Sequence, residues 1–184
     1  ARVAAEISIP FTVGGGVSSI EDASVLIRAG ADKVSMNSSA FRNPSLISEA
    51  ASEFGSQFVV VAIDTRFENE DWFVYLDGGR TPTGVKAIEW AKKACELGAG
   101  EILLTSMNND GTKKGFAINI TDEISRSINI PVIASGGAGS PLHFKDVFEQ
   151  TSASAALAAS IFHFGEVEIR DLKQYLRNNK IPVR

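Results

Sequence analysis

Cysteine is almost absent: Cys95 stands alone among 184 residues. It has no partner here for an intrachain disulfide, which fits a reducing, cytoplasmic setting. On the helix expected over Val85 to Leu97 it reads as a small apolar packing residue. Histidine is nearly as scarce, with only His143 and His163. Neither has a third ligand nearby in the pattern, so both read as packing or surface residues and no metal site is expected. Positive charge is not in excess: 18 Lys and Arg against 22 Asp and Glu leave a net charge of −4. That balance gives no electrostatic footprint for nucleic acid. No apolar run is long enough to cross a membrane, and no secretory leader pattern opens the chain. What remains is 44% hydrophobic and 22% charged, an ordinary globular composition with material for a sizeable core.

The hydrophobic period alternates between strand and helix from end to end, with no linker or low-complexity segment. Strands are expected at Phe11 to Val13, Lys33 to Met36, Phe58 to Ile63, Ile102 to Leu104, Val132 to Ala134 and Ala155 to Ala158. Helices are expected at Ile20 to Ala29, Pro44 to Phe54, Val85 to Leu97, Ile120 to Ser127, Pro141 to Phe148 and Val167 to Leu176. Phe58 to Ile63 is uninterruptedly apolar, as in a strand buried on both faces of a parallel sheet. Trp72 to Leu76 alternates beside Asp77-Gly78-Gly79 and reads as part of an inserted hairpin. Such alternation predicts an α/β fold of the (βα)8 barrel family, a single partial barrel over 1–184 with six parallel strands. The chain opens inside a helix (Ala1 to Ile7), so a piece of a longer chain is expected. Val13, Val34, Val61, Leu103 and Ile133 are expected to face the barrel interior.

Two glycine segments are built alike. Thr12-Val-Gly-Gly-Gly16 and Ala134-Ser-Gly-Gly-Ala138 each follow Ile-Pro and an apolar run. Each precedes a helix and then a strand ending in small polar residues, Asn37-Ser38-Ser39 in one copy and Ala159-Ser160 in the other. Glycine at a strand end lets backbone N–H groups approach an anion, and a following helix adds its positive end. Gly16, Asn37 and Ser38 are expected to cradle one phosphate, and Gly136, Gly137, Ala159 and Ser160 another. Close packing at the barrel top is the alternative. Two cradles imply a substrate phosphorylated at both ends.

Asp64 ends the most apolar strand, at the mouth where barrel chemistry collects. By position it is either a general acid/base kept partly from water or a solvated turn carboxylate. Asp110, in Asn109-Asp-Gly111-Thr112, is either a substrate contact or a turn former. Lys33 and Glu101 open their strands at the opposite mouth.

Ile9-Pro-Phe-Thr-Val-Gly-Gly-Gly-Val17, Ala29-Gly-Ala-Asp-Lys-Val-Ser35, Val59-Val-Val-Ala-Ile-Asp64 and Gly98-Ala-Gly-Glu-Ile-Leu-Leu-Thr-Ser106 resemble the cyclase subunit of imidazole glycerol phosphate synthase. So do Gly78-Gly-Arg80, Asp110-Gly-Thr112, Ile133-Ala-Ser-Gly-Gly-Ala-Gly139 and Ala155 to Phe164. The resemblance spans the chain. It implies a lyase of histidine biosynthesis that uses ammonia and a bis-phosphorylated ribulosyl aminoimidazole carboxamide. The products are imidazole glycerol phosphate and aminoimidazole carboxamide ribotide, and the implied partner is a glutaminase. It also implies that Asp64 is catalytic, that Thr105, Asp110 and Gly111 contact substrate, and that Lys33 and Glu101 belong to an ammonia passage facing that partner. No cofactor is implied.

Departures stand beside these matches. Asn108 and Ala117 occupy positions where the family has aspartates, Ser152-Ala-Ser154 replaces Gly-Ala-Asp, and Asp77 replaces a histidine. The family's second catalytic aspartate, carried by its first strand, has no counterpart in these residues, so slow turnover is expected. Two open sheet edges also lead to the expectation of a homo-oligomer. A non-catalytic phosphate-binding module and the sister sugar isomerase, which shares the Asp110-Gly-Thr112 turn, are the alternative readings.

Overall fold

A computed structural model describes residues 2–184; Ala1, part of the expected first helix, lies outside them. In chain order the elements begin α1 (Arg2–Glu6), β1 (Thr12–Gly14), α2 (Ile20–Arg28), β2 (Lys33–Met36), α3 (Ser38–Arg42) and α4 (Ser45–Phe54). Three strands follow: β3 (Val59–Glu68), β4 (Asp71–Leu76) and β5 (Thr81–Lys86). The rest run α5 (Ala87–Glu96), β6 (Glu101–Ser106), α6 (Ile118–Ser127), β7 (Val132–Ser135), α7 (Pro141–Gln150), β8 (Ala155–Leu157), α8 (Ser160–His163) and α9 (Ile169–Asn178). Local signals account for several boundaries. Ser19 caps α2, accepting a hydrogen bond from the Asp22 N–H at 3.1 Å, while the Asp22 carboxylate accepts from the Ser19 N–H in a reciprocal capping box. Pro141 starts α7, where its missing N–H is harmless.

Six strands lie in one parallel path ordered β1-β2-β3-β6-β7-β8, the arrangement of a partial (βα)8 barrel. The register Thr12↔Lys33, Val13↔Val34, Gly14↔Ser35 recurs as Ile133↔Ala155, Ala134↔Ala156, Ser135↔Leu157. The sequence repeat is therefore a repeat of backbone pairing. Among the described residues β1 and β8 are each paired on one side only, which leaves two edges.

Alternation assigns each strand two faces. Val34, Met36, Val59, Val61, Ile63, Ile102 and Leu104 are buried with Ala23, Ile47, Ala50, Ala91 and Ile124 from the helices. A second cluster packs Ala134 against Phe116, Phe144, Val147, Ile161, Leu172 and Leu176. Each such aliphatic side chain contributes roughly 1.5–3 kcal/mol. The register leaves Gly14, Ser35, Ala62, Asp64, Leu103, Thr105, Ile133 and Ser135 on the other, concave face.

Expectation and structure part at several points. Leu103 and Ile133 do face the interior, but Val13, Val34 and Val61 belong to the helix-covered side. A valine fits either face of a doubly covered strand, and a shift of one residue inverts the whole set. The strand expected over Phe58 to Ile63 runs on to Glu68 and pairs antiparallel with β4 from Asp64↔Tyr75 to Glu68↔Asp71. Asn69 and Glu70 close that hairpin with φ of 48° and 65°, the left-handed pair that a two-residue turn requires. Val85 lies within β5 instead of opening a helix, and α5 starts at Ala87 after the last strand residue, Lys86.

Candidate active site at the mouth of the partial barrel

The parallel strands carry their small and polar residues at their C-terminal ends. At the first glycine loop Gly15 and Gly16 have φ of 91° and 83°. Residue types with a Cβ rarely adopt such values. This loop, Ser35, Asn37, Ser38 and Asp64 line one cavity of about 920 Å³. At the second loop Gly136 and Gly137 have φ of 89° and 103°. There Asp110, Gly111, Ala159 and Ser160 line a smaller hollow of about 260 Å³, and Leu157 borders both. The following segments match too: Asn37 and Ala159, immediately before α3 and α8, have φ of −121° and −118°. The expected members of each cradle thus lie together, and Asp110 and Gly111 join the second.

Asp64 lies inside β3, flanked by Thr105 of β6 and Tyr75 of β4. Asn37 Nδ2 donates to its Oδ2 at 2.9 Å. Burial pushes the Asp64 carboxyl above the usual carboxylate range; the Asn37 hydrogen bond opposes this rise, and the negative charge of Asp110 adds to it. Thr105 shares the concave face between Asp64 and Ser135, as the register requires.

At the other end of the strands Lys33 Nζ donates to Glu101 Oε2 at 2.7 Å. The pair arches over β3, whose Val60 lies between Ser35 and Glu101 in the same row. Thr105 stands four positions beyond Glu101, about 13 Å along the strand.

The remaining expectations divide. His143 Nδ1 accepts the Gly139 N–H at 3.0 Å at the start of α7, and His163 is exposed against Phe164. Among the described residues no group of three or more His, Cys, Asp and Glu is placed to hold a metal. Cys95 is only partly buried, its Sγ donating to Asn129 Oδ1 at 3.2 Å, and it stands outside the apolar clusters. Asn108 has a structural duty: its Oδ1 accepts from the Phe67 N–H at 2.8 Å and its Nδ2 donates to the Phe67 carbonyl at 3.4 Å. An aspartate could not supply the second bond. Two residues escaped the sequence reading as site components. Asn109 accepts from Ser106 Oγ and donates to the Gly115 carbonyl, both at 2.8 Å, and so shapes the loop bearing Asp110. Arg42 lines the larger cavity, and no sequence motif marks it.

A family model described as "Histidine biosynthesis protein" matches residues 1–168. Among curated proteins, the imidazole glycerol phosphate synthase subunit HisF of Elusimicrobium minutum (strain Pei191) is 61% identical over 183 residues. The protein of the same description from Bacillus cereus (strain Q1) is 59% identical over 184 residues, and that from Parabacteroides distasonis 58% over 183. Each match covers 100% of this chain and 73% of the relative. The chain belongs to the HisF family, the cyclase subunits of imidazole glycerol phosphate synthase in histidine biosynthesis.

Proposed function

We propose that the chain forms the cyclase site of imidazole glycerol phosphate synthase, a lyase acting in the cytoplasm as a single domain. The substrates are ammonia and a bis-phosphorylated ribulosyl aminoimidazole carboxamide; the products are imidazole glycerol phosphate and aminoimidazole carboxamide ribotide. One observation carries this reading. Two loops of matching backbone stand on either side of Asp64 and Thr105, facing the same concavity, as a substrate with a phosphate at each end needs. Backbone N–H groups of Gly16, Asn37 and Ser38 take one phosphate, and those of Gly136, Gly137, Ala159 and Ser160 the other. Between them Asp64 moves protons, its raised pKa bringing it nearer the working range. Thr105, Asp110 and Gly111 orient the substrate. Ammonia from a glutaminase subunit arrives at the Lys33–Glu101 end, and the edges at β1 and β8 pair with a second copy.

With ammonium salts as the nitrogen source, Asp64→Asn lowers turnover by ~10²–10⁴. In an amide-resolved titration the bis-phosphorylated substrate shifts Gly16 and Gly137 together at one equivalent. A shift at one loop only, or an Asp64→Asn protein with an unchanged rate, overturns the reading.

A further inference from the structure

Arg42 ends α3 and lines the same cavity as Gly15, Gly16 and Ser38; among the described residues it is the one lysine or arginine lining it. Its Nη2 donates to Asp77 Oδ2 at 2.6 Å. Asp77 sits in the turn between β4 and β5 at φ 57°, and its N–H donates to Ser38 Oγ at 2.9 Å. Thr81 Oγ1 donates to the same Oδ2 at 2.8 Å, and Arg80 Nε donates to the Asp77 carbonyl at 2.7 Å. The rim of the first cradle thus gathers two guanidinium groups and two hydroxyls around Asp77, with Arg42 and Thr81 on its carboxylate and Arg80 and Ser38 on its backbone. Arg42 and then Thr81 hold that carboxyl below its usual range, so it stays charged through the neutral range.

The Arg42–Asp77 pair is open to water, with the two side chains 55% and 33% exposed. Exposed ion pairs add little net stability and exchange readily. A phosphate dianion offers the guanidinium fork a stronger partner, with oxygens spaced for two parallel hydrogen bonds. Two neighbouring polar side chains are already engaged: the Asn37 amide by Asp64, and the Ser39 hydroxyl by the Val17 carbonyl at 2.5 Å. We propose that Arg42 is a phosphate ligand of the first cradle, held on Asp77 until the anion arrives, with Asp77 as its internal competitor. This rests on the reading of that loop as a phosphate cradle. If Arg42 were instead only a strut tying α3 to the β4–β5 turn, losing either partner would have the same effect.

Inorganic phosphate, titrated into the isotopically labelled chain and followed at the amides of Gly16 and Gly137, reads each cradle separately. Arg42→Ala should weaken the affinity reported by Gly16 about tenfold or more, through the loss of the guanidinium's charged hydrogen bonds, and leave that of Gly137 unchanged. Asp77→Asn keeps the shape of the turn and should tighten binding at Gly16 severalfold by freeing Arg42. Unchanged affinity in Arg42→Ala, or equal weakening in both variants, overturns the proposal. If Gly16 ignores phosphate in the parent chain, the cradle reading itself falls, and Arg42 with it. Thermal unfolding without phosphate separates folding losses from binding losses.

Discussion

Gly15 and Gly16 have φ of 91° and 83°, Gly136 and Gly137 of 89° and 103°, and yet the two loops have different walls. A Cβ built on Gly16 meets nothing within 4 Å, whereas one on Gly137 would lie 2.0 Å from the Gly115 carbonyl oxygen. The loop between β6 and α6 presses on the second cradle, and Gly115 N–H donates to the Gly137 carbonyl at 2.8 Å. The first cradle is open, and its cation is Arg42; the second is walled by backbone, and its nearest ionisable wall is Asp110. One repeat unit thus yields an open loop beside a guanidinium group and a closed loop walled by backbone; on the proposed reading the first would hold its anion with charge assistance and the second with N–H dipoles alone. Matching backbone conformation does not make the two sites equal.

The largest expected effect tests that contrast in the glycines. Gly137→Ala meets both the strain of a left-handed backbone and a carbonyl it cannot displace, and should destabilise by about 3 kcal/mol or more. Gly16→Ala meets the strain alone, about 1 kcal/mol. Urea unfolding of the two variants measures the difference. Equal losses would mean that the loop around Gly115 yields and that the second cradle is as soft as the first.

What the sequence disclosed follows the same line between local and non-local causes. The glycine loops and the alternation that gives six parallel strands are written in local chemistry, and they appear where the pattern puts them. Which face of β2 and β3 meets the helices is not, because Val34, Val60 and Val61 are all apolar; only the register sets Val60 apart on the concave side. Helices α3 and α8, of 5 and 4 residues, are too short for periodicity to mark, since so few turns are held by tertiary contact more than by propensity. Arg42 reaches the site through a partner 35 residues away, which no local pattern encodes.

A smaller effect sharpens the comparison at the second residues of the cradles. Ser38 Oγ accepts the Asp77 N–H and so fastens the β4–β5 turn to the open cradle. Among the described residues no hydrogen bond of the Ser160 hydroxyl appears, so its counterpart in the closed cradle fastens nothing. Ser38→Ala should cost about 1 kcal/mol, the usual net worth of one such bond. Ser160→Ala should stay within about 0.5 kcal/mol. Should Ser160→Ala prove the more damaging, the closed cradle depends on side chains after all, and the contrast drawn from the backbone fails.

The smallest effect is electrostatic and belongs to the carboxylate beside the open cradle. Burial raises the Asp64 pKa in the folded chain, against the pull of the Asn37 hydrogen bond and with help from the charge of Asp110. A carboxyl whose folded pKa exceeds its unfolded one binds its proton more tightly in the folded state. Its contribution to stability is therefore complete below the unfolded pKa and is lost as pH rises through the folded one. At neutral pH the ionised carboxylate is a net burden that asparagine removes, since its side-chain carbonyl can still accept from Asn37. Asp64→Asn should accordingly unfold at higher denaturant than the parent at pH 7, with the gap shrinking as pH falls through the raised folded pKa and closed below the ordinary carboxylate pKa. Because the Asn37 bond opposes burial, the gain at pH 7 should be the smallest of the effects argued here. Asp110→Asn in the same series should shift the onset of the Asp64 dependence to lower pH by removing the neighbouring charge. A gap independent of pH would show that Asp64 is as well solvated folded as unfolded.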